Sequence, residues 1–548
     1  MTDSTEHPIV TTAAGAVRGL WRDGSAAFLG IPFAEPPVGA LRFAAPVPHR
    51  PWEGIRDAVE HGATPQRVAL SEVTIIPEPS IPGDSTLNLD VFTPVPGDAD
   101  AALPVLVWIH GGGYVAGSPA SPWYDGASFN RDGVVTVNVS YRLGFDGFGW
   151  LEDAPLNRGV LDWILALEWV QANIAAFGGD PSRVTIAGQS AGGGAVLTLL
   201  STPRADALFH GVYSVSGVPT STSVEQAEQL ARRIASLAGV VPSREGFATV
   251  SEERVLELQR LVSSVGDGPA VDGGAQAGDG GAQAHAGISQ ADASSTQGDG
   301  SAQPADPIAG LAAMLGDGLV LGPVVDGELI PFETLDAVRE GVGSRHPLVL
   351  GTTDQEFNMV LAGAREQLAS VPAGALLGQL GVEADVAAAY VEAHPLLDTA
   401  GTVGQYLTDR MFRAPALGVA EARMAAAARA VATAGTAASD TAAPVWLYRF
   451  SWASPVLGDA AHCLDVPFFF DCLDAPRVDA IAGSTPPQAL ADEVHGGALA
   501  FLRTGAPDWP SCDPDALPVR RFDVPSELVA DGYADVRPLL PREVAVSH

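Results

Sequence analysis

A chain of 548 residues that is 47% hydrophobic and 17% charged carries enough apolar material for a large globular core. Its 65 acidic side chains face 30 basic ones, all arginine, giving a net charge of −35. That field repels phosphate, which disfavours nucleic acid or an anionic membrane as partner, and the lack of lysine removes Schiff-base, Ser-Lys and P-loop chemistry.

From Val10 to Asp98 short β-type runs alternate with Gly and Pro, predicting N-terminal antiparallel strands joined by long loops. Leu103 to Ile109 is a bounded apolar run, as expected of a strand buried on both faces, and it ends at His110 and three glycines. Val134–Val139 is a second such run, Val184–Ala187 a third and Val212–Val215 a fourth. Between the second and third, Val160, Leu161, Ile164, Leu167, Trp169, Val170 and Ile174 give a helix a broad apolar face, with Gly178 where it should stop. Strand, helix, strand in that order is a βαβ unit, which implies a mostly parallel central sheet flanked by helices.

Helical patterns over 223–262 and 361–432 suit cap insertions above the sheet's C-terminal edge, and Leu348–Gly351 and Val445–Phe450 read as late strands. Residues 265–306, mostly Gly, Ala, Asp, Gln and Ser, lack the apolar surface to offset the entropy of ordering and read as a disordered insertion. The stretch 434–443 reads as a shorter flexible loop. Length alone suggests two or more domains, but the sheet pattern reads as one α/β domain over 1–548. No run of roughly 18 uninterrupted apolar residues occurs, and Met1 to Val10 lacks a secretory pattern, so no membrane association and cytoplasmic residence are expected. Cys463, Cys472 and Cys512 are too few for a disulfide framework and match no zinc motif; a Cys463–Cys472 bond stays open, with structural or incidental thiols the reading preferred. No metal or cofactor is expected.

Gly188-Gln189-Ser190-Ala191-Gly192 is a G-x-S-x-G sequence set between a predicted strand and the helix-compatible run Ala195–Leu200. Strand–turn–helix is the setting a nucleophile elbow requires: the glycines make room for a strained turn that projects the serine oxygen. The alternative, a Gly-rich turn with an incidental serine, does not account for that setting. The helix start brings amides and dipole near a developing anion. Upstream, His110-Gly111-Gly112-Gly113-Tyr114 lets backbone N–H groups approach a carbonyl oxygen. The amides of Gly112, Gly113 and Ala191 are thus candidates for an oxyanion hole, with His110 in a structural role.

Phe177-Gly178-Gly179-Asp180-Pro181 running to Ser190, Phe28 to Pro37 with Leu41-Arg42-Phe43, Asn138 with Tyr141-Arg142, Asn157 with Gly159 and Asp162, and Pro323 to Gly327 together resemble the type-B carboxylesterase and cholinesterase-like family of α/β-hydrolases. Matching blocks run from about residue 10 to about 540, in the manner of bacterial para-nitrobenzyl-esterase-like carboxylesterases. The resemblance implies the α/β-hydrolase fold, a buried structural Arg142–Asp162 pair and a triad in the order nucleophile, acid, histidine. Gly458 to Phe468 then makes His462 the catalytic histidine, with His495 as the alternative, and Gly351 to Phe357 makes Glu356 the acid, with Asp354 as runner-up. Two departures stand out: Phe357 occupies a place where the family usually has Gly, and Thr86 replaces a Cys that closes a loop in many relatives.

The implied activity is hydrolysis of uncharged, moderately apolar carboxylic esters through an acyl-enzyme, with a small-molecule ester as the partner. Amide or carbamate hydrolysis on the same triad is the alternative. A non-catalytic binding protein on this fold is a second alternative, against which the retained triad candidates argue. Tyr114, Trp123, Trp150 and Phe468–Phe470 suit either an aromatic pocket or core packing. Activity is expected to rise with pH around a typical His value of roughly 6.5–7.

Overall fold

The computed structural model describes residues 7–65, 74–264, 311, 315, 321–434, 442–513 and 516–540. β1 (Ile9–Thr11) and β2 (Ala16–Arg18) pair antiparallel and take β5 (Ile55–Asp57) into a small sheet of their own. The large sheet has eleven strands. They are β3 (Leu20–Arg22), β4 (Ser25–Pro32), β6 (Asn88–Thr93), β7 (Leu103–Ile109), β8 (Val135–Val139), β9 (Gly179–Gln189), β10 (Gly211–Val215), β13 (Leu348–Thr353), β14 (Val445–Phe450), β15 (Pro518–Phe522) and β16 (Glu527–Ala530). β11 (Thr222–Ser223) and β12 (Val324–Val325) form a separate two-stranded ribbon.

Across the sheet the order is β16-β15-β14-β13-β10-β9-β7-β8-β6-β4-β3. Pairing is parallel from β15 through to β8 and antiparallel at both edges. The apolar runs owe their lack of alternation to burial on both faces. Val105, Val107 and Ile109 pack into one core with the helices Arg158–Asn173, Ala191–Leu200 and Ala414–Ala434, while Leu106 and Trp108 pack into another with Phe468–Phe470 and the helix Gln488–Thr504.

β7 lies between β8 and β9, so the chain reverses its direction of travel across the sheet there. The helix Arg158–Asn173 carries it from β8 back past β7 to β9. Ile109 pairs with Gly188, Gln189 with Val215, and Val215 with Gly351. The C-terminal ends of β7, β9, β10 and β13 are therefore level, and the loops leaving them emerge together at the reversal point. Open α/β sheets bind their ligands in that crevice.

Polar groups fasten the crossover. Asn157, at a φ of +57°, uses its amide to donate to the Val324 carbonyl and to accept from the Val324 N–H at 2.8 and 2.7 Å. Buried Arg142 and Asp162 form a two-pronged ion pair at 2.7 and 2.9 Å, and Asp162 also accepts the Arg142 backbone N–H at 3.0 Å. Arg158 beside them donates to four carbonyls, those of Phe145, Asp146, Gly149 and Pro155. Burial and the neighbouring Arg142 charge lower its pKa to about 9. At the far end a short 3₁₀ turn, Ile174–Phe177, stops at Gly178 with φ +85°. The helical stretch Arg158–Phe177 is long and apolar enough to cross a membrane, yet 67% of its window is buried in this fold.

The cap segments form helices as expected: Val224–Ala238, Arg244–Ala248 and Glu252–Ser264 in the first, a series from Arg365 to Ala434 in the second. The expected insertion at 265–306 lies outside the described residues, as do 435–441 of the expected loop at 434–443. All three cysteines are free thiols. Substituting Asp162→Asn leaves a buried guanidinium without its counter-charge, which typically costs about 3–5 kcal/mol. A lower urea midpoint at unchanged slope is expected, and a change under about 1 kcal/mol would contradict this role.

Candidate active site

One residue, Ser190, separates β9 from the helix Ala191–Leu200. Its backbone sits at φ 59°, ψ −122°, a region L-residues rarely adopt and one that typically stores about 1–3 kcal/mol. Two hydrogen bonds hold it there, Ser190 N–H to the Val215 carbonyl and Gly194 N–H to the Ser190 carbonyl, both 2.9 Å. The flanking glycines are steric requirements: a Cβ on Gly188 would stand 2.5 Å from the Gly192 carbonyl, and one on Gly192 would stand 2.0 Å from the Ile109 oxygen. The serine side chain alone remains partly open to solvent.

The loop after β7 runs against this turn. A Cβ on Gly111 would come within 3.2 Å of the Ser190 Cβ, and Gly112 and Gly113 have φ values of +110° and +61°. The N–H groups of Gly112, Gly113 and Ala191 make no hydrogen bond to another described residue, so they are free to receive an oxyanion. His110 holds the loop. Its ring stacks on Tyr141 at 4.6 Å, and the Tyr141 hydroxyl donates to the His110 carbonyl at 3.0 Å.

Loops after β13 and β14 bring the other two residues together. His462 Nδ1–H donates to Glu356 Oε2 at 2.5 Å, and the second carboxylate oxygen accepts from Thr353 N–H at 2.8 Å. Both side chains are buried, Glu356 completely. The His462 N–H donates to the Glu356 carbonyl at 3.2 Å, and Gln355 is bonded to Ala460 through both backbone and side chain at 3.0 Å, so the two loops are stapled to each other. Asp354 turns away to pair with Arg449 at 2.7 Å. Phe357 needs no glycine-like geometry: its φ is −130°, and its ring lies 5.0 Å from the imidazole.

His462 Nε2 meets the Gln189 side-chain nitrogen at 3.1 Å, and that amide also donates to Cys463 Sγ at 3.2 Å. No hydrogen bond joins Ser190 to His462 in this arrangement. Sequence pattern alone gives Gln189 no role, although its place before the serine, at the end of a buried strand, aims it at the histidine. His495 is buried in the helix Gln488–Thr504, where its Nδ1 bonds to the Phe469 carbonyl at 2.8 Å, away from the site. Tyr114, Trp123 and Phe468–Phe470 are all buried in the core, and Trp150 lies under the Arg232 guanidinium. Core packing, not a pocket wall, is the reading for these aromatics.

Burial opposes protonation of His462, but the contacting Cys463 sulfur and Glu356 carboxylate outweigh it and hold the imidazole well above its ordinary pKa of 6.5. Asp465, on the same loop and facing both, is pushed up to about 7 by burial and by the Glu356 charge. With His462 as general base, the midpoint of roughly 6.5–7 expected from the sequence shifts upward, because a general base works only when neutral.

Residues 6–282 match the model of the carboxylesterase family. Over 530 residues the chain is 30% identical to the para-nitrobenzyl esterase of Bacillus subtilis (strain 168), an alignment covering 92% of each chain. The medium-chain fatty acyl-CoA hydrolase precursor of Anas platyrhynchos is 43% identical over 252 residues, 43% of this chain and 45% of that one. A crystal structure of the Geobacillus stearothermophilus carboxylesterase at pH 6.2 superposes with a TM-score of 0.76 and 29% identity, covering 97% of this chain and all of that one.

The acid limb of kcat/KM on a neutral ester should have its midpoint above 6.5, the ordinary histidine value. In Glu356→Gln that midpoint should fall, because the imidazolium loses its counter-charge. A wild-type midpoint at or below 6.5, or an unmoved one in the variant, would contradict the pairing.

Proposed function

This chain belongs to the carboxylesterase family, serine hydrolases of the α/β-hydrolase fold that cleave carboxylic esters, and on that premise we propose that Ser190, His462 and Glu356 are its catalytic triad. The observation that carries the reading is the buried Glu356–His462 pair, whose other imidazole nitrogen is bonded to the side chain of Gln189, the residue preceding a strained serine.

The chemistry follows from the geometry. As the Ser190 hydroxyl turns toward Nε2 it displaces the Gln189 amide; such bonds are often loose before substrate tightens them. The oxygen attacks the ester carbonyl while the imidazole takes its proton. Glu356 keeps Nδ1 protonated and stabilises the imidazolium that forms. Negative charge growing on the carbonyl oxygen is met by the amides of Gly112, Gly113 and Ala191, each donor of this kind typically contributing about 3–4 kcal/mol. His462 returns the proton to the departing alcohol, and water then releases the acid by the same steps.

For the substrate we infer an uncharged, moderately apolar ester. The net charge of −35 opposes anionic ligands, and the rings of Phe357 and Phe412 flank the imidazole at 5.0 and 5.1 Å.

Hydrolysis of short- and medium-chain p-nitrophenyl esters by wild type and Ser190→Ala tests the assignment. The variant should keep its circular dichroism spectrum and lose activity by at least about a thousandfold. Retention of a tenth or more of the wild-type rate would exclude Ser190 as nucleophile.

A further inference from the structure

The carboxylate of a triad has to stay within hydrogen-bond reach of one ring nitrogen, yet Glu356 sits on a connection, not on a regular element. Two of its restraints come from the histidine loop. A third is the Thr353 N–H at the end of β13, and the residues flanking Glu356 are held by the second cap segment, where the helix Thr399–Thr408 leads through a π-helical turn, Asp409–Arg413, into the helix Ala414–Ala434.

Gln405 and Thr408, three residues apart and so on one face of that helix, bond to the chain on either side of Glu356. Gln405 Nε2 donates to the Asp354 carbonyl at 3.0 Å, and its oxygen accepts from the Asn358 side chain at 2.9 Å. Thr408 Oγ1 accepts the Phe357 N–H at 3.0 Å and donates to Asn358 Oδ1 at 2.8 Å. Helix and loop touch closely, since a Cβ on Gly404 would stand 3.0 Å from the Asn358 carbonyl oxygen.

The π turn locks this grip. Asp409, fully buried, accepts from Gln405 Nε2 at 2.9 Å, from the Tyr390 hydroxyl at 2.6 Å and from Arg413 at 2.7 Å. The first of these fixes which end of the Gln405 amide faces Asp354. Arg413 is neutralised in turn by Asp535. The extra residue of the turn also sets Phe412 against the imidazole at 5.1 Å. Single π-helical turns inside α-helices occur frequently at functional sites.

We propose that Gln405 and Thr408 are positioning residues for the catalytic acid: they hold the Asp354–Asn358 loop so that Glu356 is aligned on His462, an inference that rests on the triad reading above. Neither touches the reacting atoms. Their loss should slow the chemical step and leave substrate binding alone, because small misplacements of a catalytic group are costly.

The test compares Thr408→Val, Thr408→Ser, Gln405→Leu and Glu356→Gln, with rates expressed per active site titrated by acylation, so that only folded enzyme counts. Thr408→Val and Gln405→Leu should lower kcat about tenfold with KM changed less than about twofold, and Thr408→Ser should restore kcat. If Thr408→Val does not fold, Thr408→Ala removes the same hydroxyl from the helix. Wild-type kcat in the Val or Ala variant and in Gln405→Leu, or no rescue by Ser, would overturn the proposal while a crippled Glu356→Gln left the triad standing. Wild-type kcat in Glu356→Gln would overturn the triad reading itself.

Discussion

Between the end of β7 and the first turn of the helix after β9 there is no room for a side chain: a Cβ on Gly192 would stand 2.0 Å from the Ile109 carbonyl oxygen. That contact obliges the chain to turn at Ser190 through a backbone conformation that costs energy, and the neighbouring strands hold it there. Because β7 and β9 are paired level at Ile109 and Gly188, the glycine loop and the serine leave the sheet side by side. The site is thus a consequence of strand order. Moving β9 one place in the sheet would leave Ser190 without the amides of Gly112 and Gly113 beside it.

Around this turn several buried charges have partners ready. Asp162 answers Arg142, Asp409 answers Arg413, and Arg158 is surrounded by carbonyls. Glu356 differs in its partner, an imidazole that on the proposed triad accepts and releases a proton. Its second oxygen is bonded to a backbone N–H and the connection that bears it is held from two sides. The same carboxylate helps raise the pKa of His462, so on the proposed triad firm alignment of the base is obtained at the expense of activity at lower pH.

Much of this was legible in the residues alone. Valine-rich runs without alternation marked strands buried on two faces, and the glycines around Ser190 marked the elbow. β9 proved longer than Val184–Ala187, starting at Gly179, because Asp180-Pro181 looks like a turn to a local reading while β7 supplies the pairing. His462 and Glu356 emerged from resemblance, as no local pattern announces a carboxylate 106 residues from its histidine. Gln405, Thr408 and Phe412 gave no signal at all. Polar residues within a helix look like solvent-facing ones until the loop they hold, about fifty residues away in the chain, is folded against them. The departure at Phe357 was visible but not its outcome, a ring packed on the imidazole.

Covalent labelling reads most directly whether Ser190 is an activated nucleophile. A fluorophosphonate forms a phosphorus–oxygen bond to such a serine with loss of fluoride, and digestion followed by mass spectrometry locates the adduct. A single adduct on the peptide carrying Ser190, formed in wild type and suppressed in His462→Ala, is the predicted result. An adduct on another residue, no adduct, or labelling equally fast without His462 would contradict the account.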